Sequence, residues 1–409
     1  MLIPTWPAWP GTAGCPAVIE KRFKKFLAEL QAEHRLRRTR TFGPAEPGFI
    51  RLNGREILNL SSNDYMGLSR HPQCARRAGE YARAWGTGAG SSRLICGTLD
   101  IHSALETRLA GLKGSQAALI VGSGFMTNSQ VLAALLDARI LEAAPLVFSD
   151  KLNHASMHQG CQLAGIRQIR FRHLDMDHLA DLLAKHAASP GPRFILSETV
   201  FSMDGDRADV PALAGLAEKH GAFLYLDEAH AMGVLGPGGL GLAAGVAMDQ
   251  SLVMGTFSKG LGSYGGYVCC SETIREYLVN RSPGFIFSTA LPPPVLGAVD
   301  AALDLMPDMD QARQDLQATA AWLRQSLGRA GLGTGTSSTQ IVPVMIGQSD
   351  RALAASQALE EAGVLAVAVR PPTVPEGTSR LRLSLTAAHS RPAVEKAGEI
   401  IIQVLGSLA

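Results

Sequence analysis

From about residue 103 onward, short runs of consecutive apolar residues alternate with stretches whose apolar positions recur every three or four residues. The runs are Ala117–Val121, Leu146–Ser149, Ile169–Phe171, Phe194–Glu198, Phe223–Asp227, Leu252–Thr256 and Tyr267–Cys270. A run that is apolar at nearly every position, rather than at alternate ones, suits a strand covered on both faces. Strands that alternate with helices form βαβ units, so the pattern predicts an α/β fold with a mainly parallel central sheet. After Pro292–Pro294 the pattern changes to a long helical stretch, strands near Ile341–Ile346 and Arg380–Thr386, and a last helix, which together read as a smaller C-terminal α+β domain. Ahead of the sheet, Ile19, Phe23, Phe26, Leu27 and Leu30 recur at helical spacing, and this helix is expected to carry a basic end of Arg35, Arg37, Arg38 and Arg40. On spacing alone that run reads as a solvated helix end. The expected division is an N-terminal arm and helix over 1–60, a large domain over 61–300 and a small domain over 301–409, with residues 1–16 a loose arm rich in Pro and Trp.

Composition narrows this picture. The 409 residues are 46% apolar and 18% charged, enough for a sizeable core and unlike a disordered chain. Thirty-eight Lys plus Arg against 36 Asp plus Glu leaves a formal charge of +2, which gives no electrostatic footprint for nucleic acid or an anionic membrane. The most apolar long segment, Val131–Phe148, is broken by Asp137, Arg139 and Glu142, so no integral membrane association is expected. Residues 1–16 lack the basic and apolar regions of a secretory signal. Six cysteines (Cys15, Cys74, Cys96, Cys161, Cys269 and Cys270) form no C-x-x-C pair, and no Cys/His group has zinc-ligand spacing. Free thiols, a cytoplasmic setting and no metal are the expectation.

Ligands of open parallel sheets bind beyond the carboxyl ends of the strands. Three apolar runs here end in reactive groups: Glu198 before Phe201–Asp206, Asp227 before Glu228-Ala229-His230, and Thr256 before Phe257-Ser258-Lys259-Gly260. A carboxylate at such an end is costly unless a cation meets it. For Asp227 that cation is either a structural arginine or the protonated nitrogen of a pyridine ring, whose electron-withdrawing character the charge would preserve. Lys259, between small residues, is either a surface lysine or a desolvated amine able to attack an aldehyde. Gly260, Gly262, Gly265 and Gly266 are expected to clear space for a ligand beside it. Gly122-Ser123-Gly124-Phe125 opens a helical pattern after a strand, where free backbone N–H groups bind phosphate well. His154 follows another strand and fits either a helix-start contact or a stack on a flat ring.

In this order, Ser61–Leu68, Gly122–Phe125, Asn153–Ser156, Val200–Asp206, Leu226–His230, Thr256–Gly260 and Arg370–His389 resemble the α-oxoamine synthase family of fold type I pyridoxal-5′-phosphate (PLP) enzymes, over about residues 20–405. The resemblance implies a fold type I transferase whose large domain binds PLP. It also implies a homodimer with shared active sites, and a reaction joining an amino acid to a CoA or acyl carrier protein thioester with loss of CO₂. By motif, Lys259 would attach the cofactor and move protons, Asp227 would pair with the ring nitrogen, and His154 would stack on the ring. His230 and Ser202 would face the ring's phenolic oxygen. Gly124, Phe125 and Thr256 would hold the phosphate, with Ser288 and Thr289 reaching the phosphate of the neighbouring chain. Arg382 would bind the amino-acid carboxylate, and Arg37, Asn63 and Thr373 would be further substrate contacts. Within the family, Arg370–His389 is similar to members that take L-alanine and a pimeloyl thioester. Gly86–His102 is similar to those using glycine, and Phe171–His173, Met232–Gly241 and Phe285–Pro294 to those using serine. A non-catalytic subunit of the same fold is the remaining alternative, against which stand Lys259, Asp227, His154 and Arg382.

Overall fold

The structure, a computed structural model, describes residues 16–243, 246 and 250–408. The expected arm, apart from Pro16, and Cys15 lie outside the described residues. Among the described residues thirteen strands follow one another: β1 Phe49–Leu52, β2 Arg55–Asn59, β3 Ala117–Val121, β4 Leu146–Asp150, β5 Gln168–Phe171, β6 Arg193–Glu198, β7 Ala222–Asp227, β8 Ser251–Thr256, β9 Gly266–Cys270, β10 Ile341–Gly347, β11 Val364–Leu365, β12 Val367–Val369 and β13 Ser379–Ser384.

The apolar runs build one seven-stranded sheet in the order β3-β9-β8-β7-β6-β4-β5. Pairing is parallel from β8 through β7, β6 and β4 to β5, whereas β9 runs antiparallel to both β3 and β8. Alternate residues of each strand enter different cores. Val147, Phe194, Leu196, Tyr225, Leu252 and Met254 pack on one face, against Val131, Leu132 and Leu135 of the helix Gly124–Leu135. Phe148, Ile195, Leu224, Leu226 and Val253 pack on the other, against Leu213 and Ala217 of the helix Val210–His220. That two-sided burial is why the strands read as unbroken apolar runs.

Two smaller sheets sit apart from this one, in the orders β10-β13-β12 and β1-β2-β11. The β1–β2 hairpin turns at Asn53-Gly54, where both residues have positive φ (50° and 78°), the geometry that Asn-Gly favours in a two-residue turn. β2 then pairs in parallel with β11, joining Leu58 to Val364. The sequence pattern foresaw none of β1, β2, β11 and β12; each is at most five residues long. The first helix spans Pro16–Ala32 and stops before the basic run. Arg35, Arg37, Arg38 and Arg40 therefore lie beyond the helix, not at its end, and Arg40 pairs with Glu360 at 2.6 Å. Among the described residues no helix is long and apolar enough to cross a membrane, and Cys74, Cys96, Cys161, Cys269 and Cys270 are free thiols.

Candidate active site

The carboxyl ends of β6, β7 and β8 open onto a cavity of about 170 Å³, whose lining includes Gly124, Phe125, His154, Glu198, Asp227, His230, Thr256 and Lys259. Asp227 is 4% exposed. One of its oxygens accepts from Asn128 Nδ2 at 2.7 Å and the other from the Ala229 backbone N–H at 2.8 Å. Asn128 is itself held by the Tyr225 hydroxyl at 2.7 Å and donates to Ser156 Oγ at 2.9 Å. No arginine pairs with Asp227 among the described residues, which removes the structural salt bridge as its explanation. Its neighbour Glu228, which is fully buried, takes the structural pairing instead, from Lys113.

Lys259 lies in the turn after β8. Burial pushes its ammonium pKa down, opposed by Asp227 and Glu198 and reinforced by Arg382. The direction favours a free amine, the nucleophilic form. His154 caps the helix Ala155–Leu163, accepting from Ser156 N at 3.3 Å, and its Nδ1 lies 2.6 Å from Ser156 Oγ. His154 therefore makes the helix-start contact, and it also lines the cavity. Protein packed around it lowers its pKa although the residue keeps an exposed face. The Phe125 ring meets it edge-on at 6.3 Å.

The glycines after Lys259 do not serve the purpose expected of them. A Cβ on Gly260 would lie 2.2 Å from the Met232 carbonyl, and one on Gly262 would lie 2.2 Å from Ser69 N. Gly265 would meet Leu291 and Gly266 would meet Thr127. They are small because backbone and side chains of the protein itself press against them.

A second group, centred on the smaller sheets, meets the cavity through His230. Arg382 on β13 is 9% exposed and donates from Nε to Ser202 O at 2.5 Å, from Nη1 to Asn63 Oδ1 at 3.1 Å and Ser384 Oγ at 2.7 Å, and from Nη2 to the Tyr65 hydroxyl at 3.2 Å. All four acceptors are neutral. Five N–H donors meet four acceptors, so among the described residues one Nη2 hydrogen is uncommitted. The Tyr65 hydroxyl also lies 2.6 Å from His230 Nδ1, linking Arg382 to the cavity wall. Burial, then Lys259 and Arg382, hold the His230 pKa well below its ordinary value, so this imidazole is neutral. Ser202 accepts from Arg382 through its carbonyl and is not among the residues that line the Lys259 cavity.

The loop carrying Ser202 is clamped from below. His173 Nδ1 lies 2.9 Å from Asp150 and its Nε2 lies 3.1 Å from Asp206, which also accepts from Thr336 at 2.6 Å. Burial lowers the His173 pKa, but the hydrogen bonds to Asp150 and Asp206 outweigh this and push it up to about 9.

The remaining predicted residues lie elsewhere. Ser288 and Thr289 line a separate small cavity with Arg93, whose guanidinium is bidentate to Glu106, and neither lines the Lys259 cavity within one chain. Arg37 Nη2 donates to Thr373 Oγ1 at 3.2 Å, so those two are brought together across the chain, both exposed. Sequence reasoning gave no role to Asn128, Glu198, Tyr65 or Ser258. Tyr65 and Ser258 stood inside quoted motifs and Glu198 closed a quoted apolar run, whereas Asn128 shows no local signal beyond lying one helical turn past Gly124.

The donor set fits PLP. Asp227, a buried carboxylate, would suit a protonated ring nitrogen, and Lys259, an amine of lowered pKa, lines the same cavity. The amino end of a twelve-residue helix, with Thr256 and Ser258 next to it, offers the N–H and O–H groups that a phosphate takes. Comparison with known proteins agrees. The model of the family Aminotransferase class I and II matches residues 55–401. A Bordetella pertussis protein provisionally named 8-amino-7-oxononanoate synthase is 55% identical over 378 residues, 92% of this chain and 95% of its own. The 8-amino-7-oxononanoate synthase of Gluconacetobacter diazotrophicus is 50% identical over 376 residues, 91% of this chain and 94% of its own. A structure of SPT (serine palmitoyltransferase) with PLP superposes with a TM-score of 0.87 at 27% identity, covering 95% of this chain and 98% of that one. This chain belongs to the class I and II aminotransferase family and, within it, to the α-oxoamine synthases, PLP-dependent transferases of fold type I.

Proposed function

We propose that this enzyme joins L-alanine to a pimeloyl thioester, carried on CoA or acyl carrier protein, and releases CO₂, the free thiol and 8-amino-7-oxononanoate, a step of biotin synthesis in the cytoplasm. The observation that carries the reading is Arg382, a buried guanidinium with neutral partners and one free N–H, near the lowered-pKa amine of Lys259. A buried charge left without a counter-charge is costly, and an amino-acid carboxylate supplies one.

PLP, when bound, supplies an aldehyde that captures the amino group and a ring that withdraws the electron pair released at the α-carbon. Asp227 keeps the ring nitrogen protonated, and Asn128 holds Asp227 in place. Lys259 Nζ takes the α-proton and later returns one, help typically worth about 10²–10⁴-fold. Arg382 orients the carboxylate until it departs as CO₂. The α-carbon forms its new bond to the thioester carbonyl, and the thiolate leaves and takes up a proton. Arg37, held beside Thr373, meets the far carboxylate of the pimeloyl chain, a charge that a plain fatty acyl chain lacks.

We further propose a large PLP-binding domain over 61–300, a small domain over 301–409, and a homodimer in which Ser288 and Thr289 complete the phosphate site of the other chain. Phe287 beside them is 82% exposed and Ile95 across from them 78%, an apolar surface that a second copy would cover. The likeness to SPT favours a second reading, a sibling using serine and a palmitoyl thioester. A panel of amino acids and acyl thioesters, read by release of free thiol, decides between them. L-alanine with the pimeloyl thioester is expected to give the highest kcat/KM, with some leak to glycine and serine, since one methylene separates substrates by only about 1–3 kcal/mol. Faster turnover of serine with palmitoyl-CoA, or of glycine with acetyl-CoA, would replace the member and keep the family.

A further inference from the structure

Glu198 and Asp227 end adjacent parallel strands as register partners, and both line the Lys259 cavity. Their exposures are 2% and 4%. Their surroundings differ. Each oxygen of Asp227 receives a donor, from Asn128 and from Ala229. Glu198 Oε1 has no hydrogen-bond partner among the described residues. The Glu198 backbone N–H donates to Asn153 Oδ1 at 3.1 Å, which pins the strand end where the carboxyl meets the cavity.

We infer that Glu198 is a neutral positioning residue, a protonated carboxyl that leaves the negative charge of the pocket on Asp227 and offers its own O–H to the cavity. The inference rests on reading this cavity as the PLP site. Two buried carboxylates side by side do not both ionise at neutral pH, and the proton goes to the one with fewer donors. The groups facing Glu198 are Asp227 on β7, Lys259 after β8, Asp150 on β4 and the His154 backbone N–H. Burial first, then Asp227 and Asp150, push its pKa well above the ordinary carboxylate range, against a pull from Lys259 and the His154 N–H. The consequence falls on Lys259. Asp227 and Glu198 are the two carboxylates that favour its ammonium form. With Glu198 neutral, only one of those charges acts, and the amine is released for proton transfer.

The test uses the full chain, without substrate. Infrared spectra of protein carrying isotope-labelled glutamate, with and without PLP, should show a protonated-carboxyl band at pH 7 that Glu198→Gln removes. In the PLP-loaded protein, Glu198→Gln should keep the pH of the visible absorbance change within about half a unit, because no charge is lost. Glu198→Leu removes the donor and should weaken PLP binding about tenfold, whereas Gln, which retains one, should stay within about threefold of the parent. Loss of an ionised-carboxylate band in Glu198→Gln would overturn the proposal. So would a fall of a unit or more in its absorbance transition, or equal PLP affinities for the Gln and Leu variants. Wrong substrates would leave all three readouts unchanged, and failure of the parent chain to bind PLP would sink the cofactor reading instead.

Discussion

On the wall of the active site built by the central sheet, Glu198, Asp227, Thr256 and Lys259 sit at or within three residues of a strand end. A second wall, made of the proposed substrate contacts and not among the residues that line the Lys259 cavity, is assembled from distant segments. Arg382 on β13 reaches Tyr65 and Asn63 across 317 and 319 positions of chain, and Arg37 reaches Thr373 across 336. The first wall is fixed by strand register and by donors already in place, such as Asn128 on Asp227. The second depends on how the smaller sheets dock. Changes on the first wall should therefore strike the chemical step and cofactor binding, and changes on the second should appear mainly in substrate affinity or in stability.

The largest effect is expected from Lys259→Ala, with thiol-release turnover falling by more than about 10⁴-fold, at the upper end of general-base effects. PLP should then wash out after borohydride treatment, whereas the parent chain retains it covalently. Retained turnover would remove Lys259 from the mechanism. Asp227→Asn keeps the shape and deletes the charge. Breaking a buried charge pairing costs about 3–5 kcal/mol, so kcat should fall by about 10²–10⁴-fold in steady-state assays. Arg382→Lys keeps the charge but loses the planar fork, and KM for the amino acid should rise about tenfold or more, with kcat less affected. A kcat effect alone would place Arg382 with the first wall.

His173→Gln tests the clamp beneath the Ser202 loop by stability. The folded pKa of His173, about 9, lies above its ordinary value. Its contribution is therefore full below about pH 6.5 and lost as the pH rises through 9. The variant should be less stable by on the order of 2–3 kcal/mol at pH 6.5 in urea unfolding, with the gap closing near pH 9.5. The smallest effect belongs to Arg37→Ala. An exposed charge contact is worth about 0.2–1 kcal/mol, so KM for a pimeloyl thioester should rise no more than about fivefold, with no change for an uncharged acyl chain.

The same contrast explains what could be read from sequence. The seven strands of the central sheet were legible because burial on both faces forces continuous apolar runs, and Glu198, Asp227 and Lys259 were legible as polar breaks at their ends. β1, β2, β11 and β12 were not, because two to five residues carry too little periodicity. Asn128 was hidden because its partners, Tyr225, Ser156 and Asp227, are set only by packing. Arg380 and Arg382 show the limit most clearly. They stand two residues apart in a strand with similar neighbours, yet Arg380 pairs with Asp204 at 2.5 Å and Arg382 meets neutral groups. Only the folded chain tells the structural arginine from the one with a donor to spare.

The pairing of β2 with β11 sets a schedule for synthesis. Leu58 emerges from the ribosome early, and its partner Val364 follows only after most of the chain. At about 5–20 residues per second, that interval is on the order of tens of seconds. Throughout it the β1–β2 hairpin has an open edge with nothing to pair against, while the central sheet, whose strands lie between, can already form. An unpaired strand edge is a template for association with other chains. Slow translation between residues 59 and 364 should therefore lower soluble yield more than an equal delay before residue 58.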